Sequence, residues 1–445
     1  MKIYFGAVIL ALTASLAADD PAPTRQQPAP AQPAKVEVIA DLVGEALRVN
    51  PAVAAARARW ESSRQKIPQA TAWPDPMVMV GGTAFNGGTP SMDGEFRYGF
   101  KQMIPFPGKK QLARTVAEKE GERVYAEYVV VAQETALGVR KAHTAISLTD
   151  ERLRKTRELR GWLEAAEKAA AAQVAVNQGL QSDLLQAQTE IAMLELDLTT
   201  LVLERVDQVA TLNRWVGRRH DAAFGKTELP DEAHAGGDVD EMADYAVDHR
   251  PALLALKRET ERAKAAIALA RKERAPDFEV GLEMQHNLGM MAGHDSGDAE
   301  REVMVTIGVS LPIWNLRKYS ALVREEQANL KAAQADHADL KARTTEEIHH
   351  LLSRIIIAQQ TEQAYRKTIL PRLVACCLGD LQAYQGGQLD FRRVLESYRQ
   401  WKKAELERAK ALAESLTAIA ELDALLGPEW PQLEPEAQPK KGKTK

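Results

Sequence analysis

The residues best equipped for chemistry gather in one segment, where Met284, His286, Met290, Met291, His294 and Asp295 bring thioether, imidazole and carboxylate groups close together in the chain. Sulfur and imidazole donors of this kind suit copper or silver. Methionines also fill gaps in ordinary surface loops, and no regular ligand spacing decides between a soft-metal site and such a loop. His349 and His350 follow Glu346 and Glu347. The His-Glu-x-x-His pattern of a zinc hydrolase is missing, so this stretch reads as a solvated helix face. Gly108, Lys109 and Lys110 match the end of a phosphate-binding loop, but Met103 occupies the place of its leading glycine and no Ser or Thr follows the lysine, which excludes that loop. The two cysteines, Cys376 and Cys377, are adjacent. They exclude a disulfide framework and a multi-cysteine zinc site, and on a helix they point to different faces. Neither a catalytic constellation nor a bound cofactor is expected.

Of the 445 residues, 45% are apolar but only 5% aromatic, a composition of long helices and coiled coils rather than of aromatic-filled cores. The 58 Lys and Arg are interspersed with 62 Asp and Glu, for a net charge of −4, which argues against a nucleic-acid partner. Residues 1–17 have a signal-peptide layout, with Lys2, an apolar run from Ile3 to Leu12 and small residues up to Ala17. Residues 18–37 follow as a Pro/Ala-rich linker, and 428–445 form a polar tail expected to be disordered. Beyond the leader no run of about 18 apolar residues offers a transmembrane helix.

The rest of the chain is a duplication. Pro51 and Pro251 lie 200 residues apart, as do Pro76 and Pro276; Pro105 and Pro312 lie 207 apart, and Asn177 and Gly387 lie 210 apart. We therefore divide the chain into a first repeat (38–220), an inter-repeat linker (221–238) and a second repeat (239–427). Each repeat reads as a helix of about 35 residues, two strands, a very long helix, a tight turn and a return helix.

In the strands, Phe96, Tyr98 and Phe100 alternate with Glu95, Arg97 and Lys101. Phe278, Val280, Leu282 and Met284 likewise oppose Glu279, Gly281, Glu283 and Gln285, and Val303, Val305, Ile307 and Val309 oppose Glu302, Thr306 and Ser310. Met77 to Ala84 is a weaker version. Such strands fit a membrane barrel with Glu95, Arg97, Glu279, Glu283 and Glu302 toward a wet lumen. An ordinary half-exposed sheet alternates in the same way. The helices favour the barrel: Lys109 to Val176 contains no proline and at 1.5 Å per residue extends roughly 100 Å, too far for a compact domain. On the return helix Leu184, Ala187, Ile191, Leu194, Leu198 and Leu201 form a coiled-coil seam. Pro371 falls at the level of Gly161, and a bend is expected there in each repeat.

An open four-stranded sheet cannot stand in a bilayer. The expected fold is thus an α+β membrane protein, each chain giving four strands to a trimeric 12-stranded outer-membrane β-barrel above a long-helix periplasmic α-barrel. Trp73, Phe106 and Trp314 flank the strand ends, where interfacial aromatics belong. A structural periplasmic coiled-coil envelope protein without a pore is the competing reading.

The order of Asn50-Pro51, Pro74-Asp75-Pro76 and the run Lys101 to Lys109, repeated as Arg250-Pro251, Pro276-Asp277, Leu311 to Trp314 and Tyr384 to Leu395, resembles TolC-family outer-membrane efflux proteins, most closely their heavy-metal-efflux branch, over about residues 38–426. The resemblance implies a passive, homotrimeric exit channel embedded in outer-membrane lipid of a Gram-negative cell and extending into the periplasm. It also implies a periplasmic adaptor and an inner-membrane efflux pump as partners, with metal ions or small toxic compounds as cargo. Asn177, Gly179 and Gly387 then form the tip turns, and a gate forms from an Asp183 to Tyr384 hydrogen bond. Arg393, with Glu396 one turn later, stands where the family commonly has an aspartate, which predicts three cations at the aperture.

Overall fold

The computed structural model describes residues 38–82, 85–86, 89–90, 95–230, 238–287, 301–314 and 316–427. The expected signal peptide, the Pro/Ala-rich linker, part of the inter-repeat linker and the tail lie outside them, as do Met290, Met291, His294 and Asp295.

Each repeat opens with two helices rather than one of about 35 residues. α1 (Ile39–Val49) ends where Asn50 turns extended, and α2 (Pro51–Thr71) restarts with proline at its first position. Steric conflict with a following proline drives a residue out of the helical region, while the proline itself suits a helix start. Asn50 secures the break: its Oδ1 accepts from the Ala52 N–H at 2.8 Å and its Nδ2 donates to the Trp215 carbonyl at 2.7 Å.

The strands of this half are β1 (Met77–Gly82) and β4 (Glu95–Ile104), with the short β2 (Phe85–Asn86) and β3 (Thr89–Pro90) pairing only with each other between them. The helices α3 (Lys109–Ala175) and α4 (Gln181–Val216) complete the repeat.

The second repeat follows the same plan with α5 (Val239–His249), α6 (Pro251–Lys272), β5 (Asp277–Asn287), β6 (Arg301–Ser310) and α7 (Leu316–Ala364). A π turn (Tyr365–Ile369), α8 (Leu370–Gln385) and α9 (Phe391–Leu426) end it. Here Arg250 marks the first break, donating to Thr344 Oγ1 at 2.6 Å and pairing with Glu347 at 3.1 Å. The bend expected at both Gly161 and Pro371 disturbs the helical bonding only at the latter. Gly161 keeps its N–H, so the 67-residue α3 runs through it. Pro371 has no N–H and its ring crowds the carbonyl of the preceding turn; the helix widens into the π turn just ahead of it.

The long strands pair antiparallel in the order β1-β4-β5-β6. Register places Val80 beside Tyr98, Tyr98 beside Met284, and Leu282 beside Val305, so the large apolar side chains of all four strands share one face. Nothing among the described residues covers it: Val78, Val305 and Ile307 are 72%, 66% and 76% exposed. The opposite face carries Arg97, Lys101, Glu279, Glu283 and Glu302, with Lys101 and Glu279 paired at 3.5 Å.

Below the sheet the duplication recurs in three dimensions. Leu42, Ala46, Val139, Ile146, Val209 and Val216 make one core; Met242, Ala246, Ile348, Ile355, Ala418 and Leu426 make its counterpart. Each unites a short helix with two long ones, so the short helices brace the long pairs at mid-length. Nearer the strands, α3 and α6 are joined by charge: Lys119 meets Glu261 at 3.0 Å, Arg258 meets Glu122 at 3.2 Å, and Arg123 reaches Glu259 at 3.4 Å.

On α8 the adjacent cysteines part as helical geometry requires. Cys376 is exposed, while Cys377 is buried and burial pushes its thiol up to about 12. We expect a thiol titration of the folded chain to find one fast-reacting cysteine and a denatured sample to find two; equal rates would overturn the α8–α9 packing. Hydrogen bonds from Arg218, Arg123 and Lys119 hold the Glu45, Glu120 and Glu261 carboxyls below the ordinary carboxylate range. A lowered carboxyl contributes stability that is present above its unfolded value of about 4.5 and is lost as pH falls through the folded value. Asp423, raised by burial, acts in the opposite sense but is a single group. Burial also lowers His143, whose contribution is lost as pH falls below about 6.5, so the melting temperature should begin to decline there and fall further below about 4.5; a rise on acidification would contradict these assignments.

Candidate functional site

Both long hairpins reverse through the same turn. Asn177 and Gly387 adopt left-handed backbone, with φ of 57° and 68°, and Asn177 is the one described non-glycine residue with positive φ. Asparagine and glycine are the residues that visit this region most readily. The bonds repeat too: Gln178 N–H donates to the Gln173 carbonyl and Gln388 N–H to the Ala383 carbonyl, both at 2.9 Å. Gly179 is required for a different reason, since a Cβ there would lie 2.8 Å from Gln173 Cβ.

The two hairpins meet just behind these turns. Tyr384 Oη donates to Asp183 Oδ2 at 3.4 Å, with both residues buried. Burial, reinforced by the Asp183 charge, pushes the phenol up to about 12, so it stays a proton donor. Asp183 does not cap its helix; the N-cap of α4 is Leu180, and Asp183 sits in the first turn, where the helix dipole favours an anion. Tyr384 also packs on Phe391, ring centres 5.0 Å apart, within a core of Leu159, Leu163, Ala187, Leu194 and Tyr398. Of the seam read from sequence, Ala187 and Leu194 are fully buried there and Ile191 packs beside them.

Sequence reading missed the polar partner of that seam. Asp183, Glu190 and Asp197 recur every seven residues on α4. Glu190 binds Arg399 and Asp197 binds Lys402, each at 2.7 Å, and Gln173 Nε2 adds a 2.7 Å bond to the Gln385 carbonyl. The acidic heptad was visible in the chain; its partners, some 200 residues on, were not.

Two expectations change. Arg393 is not a bare cation: its guanidinium lies 3.8 Å from Asp380 and 3.2 Å from Glu396. Two carboxylates and one guanidinium leave this cluster at −1 per chain, because α8 carries Asp380 past the start of α9. The Met/His segment is likewise not all loop. β5 extends through Asn287, and Met284 and His286 stand opposite Tyr98 and Phe96 on the apolar face of the sheet, away from the charged one. No cluster of three or more His, Cys, Asp or Glu able to hold a metal occurs among the described residues. Of the flanking aromatics, Phe106 stacks on Phe278 at 6.3 Å, Trp73 lies under Lys110 at 4.1 Å and Trp314 is 90% exposed.

Residues 42–218 and 243–428 match the family described as Outer membrane efflux protein. Over 335 residues the chain is 20% identical to the cobalt-zinc-cadmium resistance protein CzcC of Cupriavidus metallidurans, covering 73% of this chain and 75% of that one. Its fold is similar to that of the outer-membrane channel OprN, with a TM-score of 0.75 at 18% identity over 87% of this chain and 89% of OprN. It is also similar to CusC, a protein described for its transmembrane channel formation, with a TM-score of 0.76 at 15% identity over 91% and 99%. With a family match on each repeat, a channel-like fold and CzcC among its relatives, the chain belongs to the outer membrane efflux proteins of the TolC family, near their metal-efflux branch.

Proposed function

We propose that the chain assembles as a homotrimeric exit duct in the outer membrane of a Gram-negative cell. It extends into the periplasm and receives metal ions or small toxic compounds from an inner-membrane pump through a periplasmic adaptor. One observation carries this reading: the sheet shows an uncovered apolar face on one side and a charged face on the other. A water-soluble spacer has no use for the first face. The strands β1 and β6 each have a free edge within the chain, and three copies joined edge to edge give twelve strands, an even number in the range of outer-membrane barrels. A second apolar row on α4, with Leu185, Leu196, Leu203 and Val206 exposed, supplies a coiled-coil seam for a neighbouring copy. Similarity to CzcC supports metal cations as cargo. The duct itself performs no chemistry in this scheme; the pump supplies the energy and the choice of substrate.

The tip is the proposed gate. The Asp183–Tyr384 bond and the Glu190–Arg399 and Asp197–Lys402 pairs tie the first hairpin to the second. These polar contacts can be exchanged for water when the hairpins part, whereas the apolar core beside them holds the closed arrangement at rest. Paired Arg393 and Glu396, with Asp380, give an aperture of mild negative charge in place of a cationic ring.

Purified protein should open discrete conductance steps in planar bilayers. Val305→Arg, which puts a cation on the lipid-facing side, should cost about 2–4 kcal/mol and reduce trimer yield, whereas Thr306→Arg on the opposite face should be tolerated. Equal losses at the two positions would reverse the assigned orientation. Asp183→Ala combined with Tyr384→Phe should raise resting conductance several-fold. A phenol raised by burial keeps the contact intact below its ordinary range near 10 and loses it as pH climbs through about 12, so the parent's resting conductance should be level between pH 6 and 9. A double variant that conducts like the parent would place the gate elsewhere.

A further inference from the structure

One groove in the molecule is cationic without compensation. It lies between the end of α6 and the first two turns of α7, encloses about 810 Å³, and is lined by Arg271, Arg274, Arg317 and Arg324 together with Tyr319 and Ser320. All four arginines are exposed. Among the described residues none of them meets a carboxylate; Arg324 Nε only donates to the Ser320 carbonyl at 3.3 Å. Of the acids close to these arginines in the chain, Glu273 and Asp277 face Lys109 at 3.8 and 2.9 Å and Glu326 accepts from Asn329 at 3.3 Å.

The duplication provides an internal control. Along α3 the corresponding groove has Ala113 and Ala117 where α7 has Ser320 and Arg324, 207 positions on. Its cations Lys66, Arg123 and Arg262 are set against Glu120 and Glu259. The fold therefore makes a groove at this level in either repeat, lined by three cations and two carboxylates in the first and by four arginines and no carboxylate in the second. Continuing the helix order α2-α3-α6-α7 into a second copy would lay that copy's α2 beside α7. The one acid within α2, Glu61, is already paired with Arg57 at 3.0 Å, and a contact with Asp75, which follows α2, is what the oligomer readout below detects.

Position identifies the occupant. Arg274 precedes β5 by three residues, and α7 starts six residues beyond Ser310, the last residue of β6. Between β6 and the groove, Leu311, Ile313 and Trp314 are exposed. Moving away from the sheet the surface thus runs from aliphatic to aromatic to arginine, the order of a membrane–water boundary.

We propose that this groove binds the phosphate of an anionic phospholipid headgroup in the periplasmic leaflet of the membrane that holds the barrel. Guanidinium groups form forked, charge-assisted bonds with phosphate oxygens, and four of them without counter-charge favour an anionic headgroup over a zwitterionic one, whose ammonium they repel. The site fixes the depth of the barrel by a polar contact below the apolar belt. It rests on the reading that the sheet lies in a membrane.

The test uses the full chain, purified in neutral detergent, with phosphatidylglycerol and phosphatidylcholine as probes in native mass spectrometry. The parent should retain phosphatidylglycerol at least tenfold more tightly. The variant R271Q/R274Q/R317Q/R324Q should lose that preference while keeping the parent's oligomeric state and ion selectivity. Retained preference in the variant would overturn the proposal. So would displacement of the lipid by equimolar inorganic phosphate, which would mark a free-anion site; loss of the oligomer, which would mean that the arginines face a second copy; or altered ion selectivity, which would place them in the lumen. Flotation with phosphatidylcholine vesicles separates the two levels of inference. A parent that floats yet shows no preference overturns the headgroup site alone, whereas one that does not float overturns the membrane reading beneath it.

Discussion

Unpaired backbone groups cannot be left in hydrocarbon, where each costs several kcal/mol, and every other feature of this chain follows from how its four strands meet that constraint. Alone, the β1-β4-β5-β6 sheet has two open edges and an apolar face that no other described residue covers. In water such a sheet would aggregate through both. Closed with further copies in a bilayer, it has neither problem: the edges pair with one another, the apolar face meets acyl chains, and Arg97, Lys101, Glu279, Glu283 and Glu302 surround a wet interior. In the proposed assembly the sheet is thus the reason for partners of the chain's own kind.

The helices extend that closure away from the membrane. A wall of helices roughly 100 Å long cannot rest on one globular core, and the interior is divided into separate clusters along its length. Two are duplicates, braced by α1 and α5, and the third lies behind the turns. The two duplicates are built mainly of Ala, Leu, Ile and Val, which lets long helices approach closely, whereas the third adds Tyr384, Phe391 and Tyr398. Between the mid-length clusters and the sheet the α3–α6 seam is held by ion pairs such as Lys119–Glu261 and Arg258–Glu122, whose geometry tolerates sliding better than interdigitated side chains do.

At the far end both kinds of contact occur together. The turns are fixed by left-handed Asn177 and Gly387 and by repeated backbone bonds, while the two hairpins are joined by one apolar core flanked by polar groups at seven-residue intervals along α4. The π turn ahead of Pro371 breaks the regular helix only in the second repeat, so the two hairpins are alike in outline but differ in stiffness.

Much of this was legible in the chain because it depends on local periodicity. Alternation at Phe96, Tyr98 and Phe100 gave β4 its two faces, the proline-free run after Lys109 gave α3 its length, and the offsets of 200 to 210 gave the duplication. The break at Asn50-Pro51 was overlooked because the apolar pattern continues through it, although proline restricts its predecessor whatever the pattern. Alternation already puts Met284 on the apolar side of a strand, but it stops short of His286, which backbone pairing with β4 and β6 also includes in β5. Arg393 read as a free cation because its neutralising carboxylate Asp380 belongs to a different helix. Sequence by itself determined which elements form and which of their faces are apolar, since those follow from residue spacing within one element. Only the tertiary structure decided which charges are paired and which, like the four arginines below β6, are left without a counter-ion, because an ion pair between elements depends on distances that no local pattern encodes.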